Sequence, residues 1–385
     1  MRPATVDASL AWAATKRMRT LLFILGTRPE AIKLSPLALH FRKLPSDFDV
    51  KVCLTGQHRE IVHQSLKVFG LTPDIDLDLM LPGQTLFQST SRILSALEAV
   101  FASVKPDLVV VQGDTTTTFC GALAALYAGV PIAHVEAGLR TWDLSRPFPE
   151  EANRQMVGRL ATMHLAATPW AAENLKREGV AEACITVTGN TGIDALLLTL
   201  ESLPPHHWEF LHPDRKIILV TGHRRENFGE GFERFCKALL RLADRPDVQL
   251  VYPVHPNPNV RGPVEAILGG RSNIHLIAPQ DYLPFVDLMR RSYLIITDSG
   301  GVQEEGPSLG KPILVSREVT ERPEAVDAGT VRLVGTDENK IVGEAEVLLD
   351  NADEYARRSK IHNPYGDGQA CPRIEQAVRA YFAAL

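Results

Sequence analysis

Long apolar runs, paired cysteines and an excess of basic residues are all missing from this sequence. No apolar run approaches the roughly 20 residues that a membrane-spanning helix requires, so no membrane partner is expected. The formal net charge of −5 gives no general attraction to nucleic acid or to anionic lipid. A negatively charged ligand would therefore have to be bound by local basic residues.

Cysteine is scarce as well. The five cysteines are odd in number and widely spaced, and no pair has metal-ligand spacing: Cys53, Cys120, Cys184, Cys236 and Cys371. We expect buried free thiols in a reducing cytoplasm, and no metal site. Residues 1–19 lack an apolar stretch of signal-peptide length, and we expect them to be a loosely ordered extension.

The length and composition of the chain indicate two globular domains. At 385 residues the chain is too long for one ordinary core, and 45% hydrophobic with 23% charged residues is typical of a soluble protein. A proline-rich stretch without periodicity, residues 201–214, is the predicted linker. It separates a first domain over residues 20–200 from a second over 215–365, and a final helical segment occupies 366–385.

Short apolar strands alternate with helical segments in both halves, which predicts two doubly wound α/β domains with parallel sheets. The predicted strands are Leu21–Leu25, Val50–Leu54, Asp107–Gln112, Pro131–Val135, His164–Thr168, Ile185–Thr188, Lys216–Thr221, Val248–Tyr252, Ile274–Ile277, Tyr293–Thr297, Ile313–Val315 and Val331–Val334.

The stretch Tyr293–Gly306 reads as a buried strand, a glycine turn and the first turn of a helix. Asp298 or Ser299 can cap that helix. Because Gly300 and Gly301 have no side chains, a phosphate could approach the backbone N–H groups and the positive end of the helix dipole. A helix that is merely capped after a tight turn is the alternative.

Polar residues also follow strands of the first half, at Gly26–Arg28, Asp114 and Glu136. The carboxyl ends of parallel strands lie at one edge of a sheet, so these residues should gather at one crevice. Arg28 and Lys33 oppose the dipole at the start of their helix, which suggests that they face an anion or the interdomain cleft. A surface role is the alternative. Asp114 could instead only cap the helix that follows it.

Glu150 and Arg154 begin the next helix, after a loop that contains two prolines. They are four residues apart and would lie on one helix face. A structural ion pair between them is the alternative to a role in a site.

Seven motifs in chain order resemble those of the non-hydrolysing UDP-N-acetylglucosamine 2-epimerases, and the resemblance extends from about residue 20 to residue 384. The motifs are Gly26–Lys33, Gln112–Thr117, His134–Arg140, Pro149–Arg154, Thr221–Asn227, Asp298–Glu305 and Thr320–Glu324. The resemblance implies the two-domain GT-B architecture, with an active site in the interdomain cleft and a C-terminal helix that packs back on the first domain.

The same resemblance implies reversible interconversion of UDP-N-acetylglucosamine and UDP-N-acetylmannosamine, by elimination of UDP to 2-acetamidoglucal and re-addition. It implies a homodimer, no metal and no other cofactor, and a product used in cell-surface polysaccharides. Such a route needs a base for the C2 proton, an acid on the opposite face and retention of the departing UDP.

By motif, the catalytic residues are Asp114, Glu136, Glu150 and His223, and which carboxylate acts as base stays open. The implied substrate-binding residues are Arg28, Lys33, Arg154, Gln280, Phe285, Ser299, Gly300, Gly301, Glu305 and Arg322. Some bacterial members bind a second substrate molecule through a segment that Gln57, His58 and Arg59 match, so these three are allosteric candidates.

Three other functions compete with this interpretation. A GT-B glycosyltransferase would share the fold and the UDP site but would need an acceptor. A hydrolysing 2-epimerase uses similar motifs and lets water trap the intermediate. A catalytically silent nucleotide-sugar regulator would tolerate loss of the acids, and all three carboxylates are present here.

Overall fold

Parallel strands alternate with helices along the chain in the computed structural model, which describes residues 17–56, 59–81, 83–224, 228–320 and 322–385. The chain divides into two compact units. The described residues up to Leu198 form unit 1 together with Gly366–Leu385, and Thr199–Tyr365 form unit 2.

Unit 1 is built around seven parallel strands. They are β1 (Arg19–Leu25), β2 (Phe48–Leu54), β3 (Ile75–Asp76), β4 (Leu108–Gln112), β5 (Ile132–Ala137), β6 (Met163–Ala166) and β7 (Ile185–Val187). Its helices up to the unit boundary are α1 (Arg28–Arg42), α2 (Arg59–Val68), α3 (Leu86–Val104), α4 (Thr116–Tyr127), α5 (Glu150–Leu160), α6 (Pro169–Arg177) and α7 (Thr191–Glu201). The strand order is β3-β2-β1-β4-β5-β6-β7.

Unit 2 is built around six parallel strands. They are β8 (Lys216–Thr221), β9 (Val248–Pro253), β10 (Ile274–Ile277), β11 (Leu294–Thr297), β12 (Ile313–Val315) and β13 (Val331–Leu333). Its helices are α8 (Glu230–Ala243), α9 (Pro258–Leu268), α10 (Tyr282–Arg291), α11 (Gly300–Glu305), α12 (Pro323–Ala328), α13 (Glu338–Asp350) and α14 (Ala352–Ser359), and α15 (Ala370–Ala383) follows in unit 1. The strand order is β10-β9-β8-β11-β12-β13, so two doubly wound parallel sheets confirm the predicted α/β class.

The continuous apolar character of β1 follows from burial of both faces of its sheet. Leu21 and Phe23 pack into one core, whereas Leu22 and Ile24 pack into the core on the opposite face. Helix α15 covers the first of these cores, to which it contributes Cys371, Ile374, Val378 and Phe382 at the spacing of one helix face.

Each sheet has one point where the strand order reverses. In unit 1 this point lies between β1 and β4, and in unit 2 it lies between β8 and β11. Ligands of doubly wound sheets bind outside the carboxyl ends of the strands at such a point. The turns that follow β1, β4, β8 and β11 are therefore the places where the fold favours a site.

Several local predictions differ from the structure. Strand β6 begins at Met163 and ends at Ala166, whereas the predicted strand was His164–Thr168, because Thr168 is already the N-cap of α6. The short strand β3 was not predicted, since two residues carry no periodicity. Four cysteines are buried free thiols as predicted, but Cys184 is exposed because it lies in a surface 3₁₀ turn. The stretch 201–214 belongs to unit 2, where the Trp208 indole donates to Asp287 at 2.7 Å.

Within the described ranges, no helix is both long and apolar enough to cross a membrane.

Candidate active site

Asp114 lies in the turn between β4 and α4, at the reversal point of unit 1. Its carboxylate accepts hydrogen bonds from the Arg154 guanidinium, at 3.0 Å from Nε and also from Nη2. Its main-chain oxygen accepts from the Asn153 amide at 2.9 Å. Asp114 was a candidate cap for helix α4, but the N-cap residue is Thr115, whose hydroxyl accepts from the Thr118 N–H. Asp114 is therefore held from α5 and is not used as a cap.

Arg154 is buried, and its partners are Asp114 and Glu151 rather than Glu150. Glu151 is fully buried, and it also accepts the main-chain N–H groups of Thr141 at 3.0 Å and Trp142 at 3.1 Å. The start of α5 thus fixes both the guanidinium on Asp114 and the loop that precedes the helix. Glu150 is the first residue of α5 and is half-buried.

Glu136 lies at the end of β5, with a backbone φ of 62° and a break in the strand register between Val135 and Ala137. A non-glycine residue in this region is uncommon, and such conformations concentrate at functional sites. Its carboxylate pairs with the Lys33 ammonium and accepts from the Gln112 amide. The irregularity turns the Glu136 side chain toward the end of the neighbouring strand β4, which Gln112 terminates.

The start of helix α1 lies at the carboxyl end of β1 in the same sheet. Arg28 is the first residue of α1 and is half-buried, and Lys33 lies one and a half turns further along the same helix. Glu30, between them, is 1% exposed and accepts from the main-chain N–H groups of Gly26 and Thr27 at 3.0 and 2.7 Å. Burial raises the pKa of Glu30, although these hydrogen bonds oppose that effect.

Two buried histidines, His134 and His164, lie on the neighbouring strands β5 and β6. The Nε2 of His134 lies 2.7 Å from the main-chain oxygen of Gly113, so Nε2 carries the proton that it donates to this acceptor. Burial lowers the pKa of His134 to about 3 and that of His164 to about 4, and the Arg140 charge adds to both effects. Both imidazoles are consequently neutral near pH 7.

In unit 2, His223 follows β8 and Asp298 follows β11, at the reversal point of that sheet. The Asp298 carboxylate accepts the N–H groups of His223 and Arg224 at 2.7 and 2.8 Å, and its other oxygen lies 3.3 Å from His223 Nδ1. Burial of Asp298 works toward a higher pKa, but the hydrogen bonds and charge of His223 outweigh it and lower the pKa. The Asp298 carboxylate therefore lies beside Nδ1 of the imidazole and fixes the main chain of the turn that carries it.

His255, after β9, stacks on His223 with ring centroids 5.5 Å apart. Burial and the charge of His223 lower the pKa of His255. A second imidazole at this edge was not predicted.

Helix α11 begins at the predicted glycine turn. Ser299 is its N-cap residue but makes no side-chain capping bond, and Asp298 is used elsewhere, so the predicted side-chain cap is wrong. The Arg322 guanidinium lies against Gly300, where a Cβ atom would come within 2.6 Å of it. Glu304 holds Arg322 through a 2.7 Å hydrogen bond from Nε. Gly300 is therefore required for this close approach, whereas a Cβ at Gly301 would meet nothing within 4 Å.

The remaining predicted binding residues lie on nearby elements of unit 2. Gln280 is in the loop after β10, and Phe285 is half-buried on α10. Glu305 ends α11 and accepts from the Tyr282 hydroxyl at 3.3 Å. The allosteric candidates Gln57 and His58 lie outside the described residues, and Arg59 is placed only as the first residue of α2.

Sequence reasoning did not single out Glu30, Glu151, Gln112 or Asp298 as site residues. Their importance comes from partners far apart in the chain, such as Thr115 for Glu30 and His223 for Asp298. The only available signal was their position inside the seven motifs. Among the described residues, no cluster of three or more His, Cys, Asp or Glu side chains could hold a metal ion.

A family profile described as UDP-N-acetylglucosamine 2-epimerase matches residues 42–379. A UDP-N-acetylglucosamine 2-epimerase of Escherichia coli O157:H7 is 56% identical over 369 residues, which are 93% of this chain and 98% of that protein. Among solved structures, the UDP-GlcNAc 2-epimerase of Neisseria meningitidis bound to UDP-GlcNAc is 46% identical, with a TM-score of 0.88 over 93% of this chain and 99% of that one.

The S. aureus MnaA structure with UDP is 44% identical, with a TM-score of 0.88 over 96% of this chain and 98% of that one. These matches extend across both units rather than over one of them. The family profile alone covers well over half of the chain. The chain therefore belongs to the UDP-N-acetylglucosamine 2-epimerase family, a family of isomerases.

Proposed function

We propose that the protein interconverts UDP-N-acetylglucosamine and UDP-N-acetylmannosamine by a non-hydrolysing route, and that the product supplies cell-surface polysaccharides. One observation carries the proposal. At the carboxyl ends of the neighbouring strands β4 and β5, two carboxylates are each held by a cation, Asp114 by Arg154 and Glu136 by Lys33. Family membership, and the substrate bound to the Neisseria meningitidis relative, support the choice of ligand.

The chemistry explains why carboxylates and groups that hold a nucleotide are needed together. A base removes the proton from C2 of the sugar, the C2–H electron pair forms the C1=C2 double bond, and the C1–O bond to UDP breaks with its electrons. In the return step UDP attacks C1, and C2 takes a proton on the opposite face. The reaction is an isomerisation without net oxidation or reduction, so the proposal involves no redox cofactor.

We assign the proton transfers to unit 1. Asp114, Glu136 and Glu150 are the proposed acid–base groups, and Arg28, Lys33 and Arg154 are the proposed cations around them. Positioned carboxylates typically contribute about 10²- to 10⁴-fold to such proton transfers. The ion pairs of Lys33 and Arg154 support this assignment, because they hold Glu136 and Asp114 in fixed orientations before ligand binds.

We assign the nucleotide to unit 2. The start of α11 at Ser299, Gly300 and Gly301 is the proposed phosphate site, with Arg322 beside it. Gln280, Phe285 and Glu305 are the proposed contacts to uracil and ribose. His223, oriented by Asp298, is proposed to stabilise the negative charge on UDP as it departs.

Incubation with UDP-N-acetylglucosamine in deuterated water, followed by NMR, tests the proposal. We expect deuterium at C2 and accumulation of the UDP-linked manno epimer. Free N-acetylmannosamine and UDP would indicate a hydrolysing enzyme instead. A reaction that starts only when an acceptor is added would indicate a glycosyltransferase, and absence of any product would indicate a regulator.

A further inference from the structure

Glu30 is a buried carboxylate that the proposed chemistry does not use. Its Oε2 accepts from the N–H of Gly26 at 3.0 Å and from the N–H and hydroxyl of Thr27, both at 2.7 Å. Its Oε1 accepts from the hydroxyl of Thr115 at 2.6 Å and lies 2.9 Å from that of Thr118. One carboxylate therefore contacts the start of α1 and the start of α4, and Glu30 and Thr115 are 85 residues apart in the chain.

Helix capping explains only one half of this arrangement. Thr27 and Glu30 form a capping box at the start of α1, which accounts for the contacts of Oε2. Capping of α1 requires nothing from α4. The contacts of Oε1 with Thr115 and Thr118 instead link the two turns that flank the reversal point between β1 and β4.

The donor set fixes the orientation of the Glu30 carboxyl group. The two main-chain N–H groups can only donate, so Oε2 cannot carry a proton toward them. The Thr118 hydroxyl lies 2.6 Å from the main-chain oxygen of Gln112 as well, so its single proton is shared between two acceptors. A glutamine in place of Glu30 would keep an oxygen for the main-chain N–H groups and turn its amide N–H₂ toward the Thr115 and Thr118 hydroxyls. Both hydroxyls would then have to change from donors to acceptors, so the link would be rearranged and its charge lost.

The residues at the two ends of this link are those proposed to act on the ligand. Arg28 is two residues before Glu30, and Asp114 directly precedes Thr115. The same turn is fixed elsewhere, because His134 donates to the Gly113 oxygen and Asn153 donates to the Asp114 oxygen. The contact with Glu30 fixes the remaining side of the turn, where α4 begins.

We propose that Glu30 is a positioning residue for the reaction, which sets the place of Asp114 through the hydroxyl groups of Thr115 and Thr118 without itself touching the substrate. This inference rests on the proposed function. Because a displacement near 1 Å can lower a rate by about 100-fold, the effect belongs on kcat rather than on binding. A residue with a purely structural role would lower the amount of folded protein without a change in kcat per folded molecule.

Four variants separate these roles. We expect Glu30→Gln to lower kcat roughly 100-fold, with KM and the Kd for UDP within about threefold. Thr118→Val, which keeps the shape but removes the hydroxyl, should lower kcat roughly tenfold, and Thr118→Ser should restore it. The variant that combines Glu30→Gln with Thr118→Val should have the same kcat as Glu30→Gln alone, because both changes act on the same link.

Asp194→Asn is the matched control. Asp194 is another buried carboxylate of unit 1, and burial raises its pKa. It joins the start of α7 to the start of α15, because it accepts the N–H groups of Ala370 and Cys371 at 3.2 and 2.9 Å. We expect this variant to lose stability and to keep kcat within threefold. Rates are taken per folded molecule, determined by circular dichroism and UDP binding.

The outcomes separate this inference from the proposed function. If the parent protein epimerises and Thr118→Val matches it in kcat, the positioning role is wrong while the proposed function stands. If Glu30→Gln does not fold, the contrast between the valine and serine variants at position 118 decides the question. An inactive parent protein would overturn the proposed function, and this inference with it.

Discussion

The reversal points of the two sheets are built alike but use their carboxylates differently. In unit 1, Glu30 joins the turns after β1 and β4, and in unit 2, Asp298 joins the turns after β8 and β11. In unit 1, Glu30 accepts hydrogen bonds from main-chain N–H groups and hydroxyls. Two other carboxylates, Asp114 and Glu136, pair with Arg154 and Lys33. In unit 2, the joining carboxylate itself contacts the imidazole of His223.

The difference follows from what each site is proposed to do. Proton transfer at C2 needs carboxylates that can gain and lose a proton, so the residue that fixes the turn has to be a different one. Stabilisation of a departing phosphate needs a fixed cation or N–H donor, which a carboxylate can orient directly. The comparison therefore predicts two different effects. Loss of Glu30 should affect Asp114 indirectly, through Thr115 and Thr118, whereas loss of Asp298 should affect His223 directly.

Asp114→Asn should have the largest effect. Removal of a proposed proton-transfer group should lower kcat about 10³-fold, within the usual range for general acid–base catalysis, and should leave UDP affinity within an order of magnitude. Deuterium incorporation at C2 and UDP titration measure the two quantities.

The matched control for Asp114→Asn is Asp107→Asn. Asp107 precedes the same strand β4 at its opposite end and also pairs with an arginine, Arg19, at 3.4 Å. We expect its kcat to stay within threefold. Equal losses in the two variants would mean that the Asp114 effect is structural and would break the comparison between the units.

Asp298→Asn should have the next largest effect. The amide oxygen can still accept both main-chain N–H groups, which share one oxygen of Asp298, but the charge beside His223 is lost, so kcat should fall about 30-fold. The control is Asp287→Asn, a buried carboxylate of the same unit bound by Trp208, Arg290 and Arg291. If Asp298→Asn and Glu30→Gln give the same pH dependence of kcat, the distinction between direct and indirect action fails.

Much of the fold could be predicted because it depends on local pattern. Strands buried on both faces, such as Leu21–Leu25 and Leu294–Thr297, read as apolar runs bounded by glycine or polar residues. The rule that parallel strands end at one edge also predicted that Gly26–Arg28, Asp114 and Glu136 would gather at one crevice, and this stays a prediction. In the structure Gln112 of β4 contacts Glu136 of β5.

The rest could not be predicted because it depends on distant contacts and on competition between equivalent partners. Spacing on a helix allowed Arg154 to pair with Glu150, but Asp114, forty residues away, is its partner. Capping rules allowed Asp298 to cap α11, but the N–H groups of His223 and Arg224 occupy its carboxylate. The left-handed backbone of Glu136 likewise comes from its surroundings, since no glutamate favours that conformation by itself.

Acid stability sharpens the comparison through two buried histidines of unit 1. His134 and His164 are buried and neutral, with pKa values lowered to about 3 and about 4 by burial and by the Arg140 charge. In the unfolded chain both take up a proton below pH 6.5. Unfolding is therefore favoured as the pH falls from 6.5 toward 4, and the stability of unit 1 should decline over that range.

His164→Gln tests this point with the smallest expected effect. Removal of one such histidine should reduce the slope of unfolding free energy against pH by about 1.4 kcal/mol per pH unit between pH 6 and pH 4.5. Urea unfolding at a series of pH values measures the slope. The test depends on the slope rather than on stability at pH 7, because any loss of packing in the variant is the same at each pH. An unchanged slope would show that His164 takes up its proton over the same pH range in the folded protein as in the unfolded chain. Burial would then not have lowered its pKa.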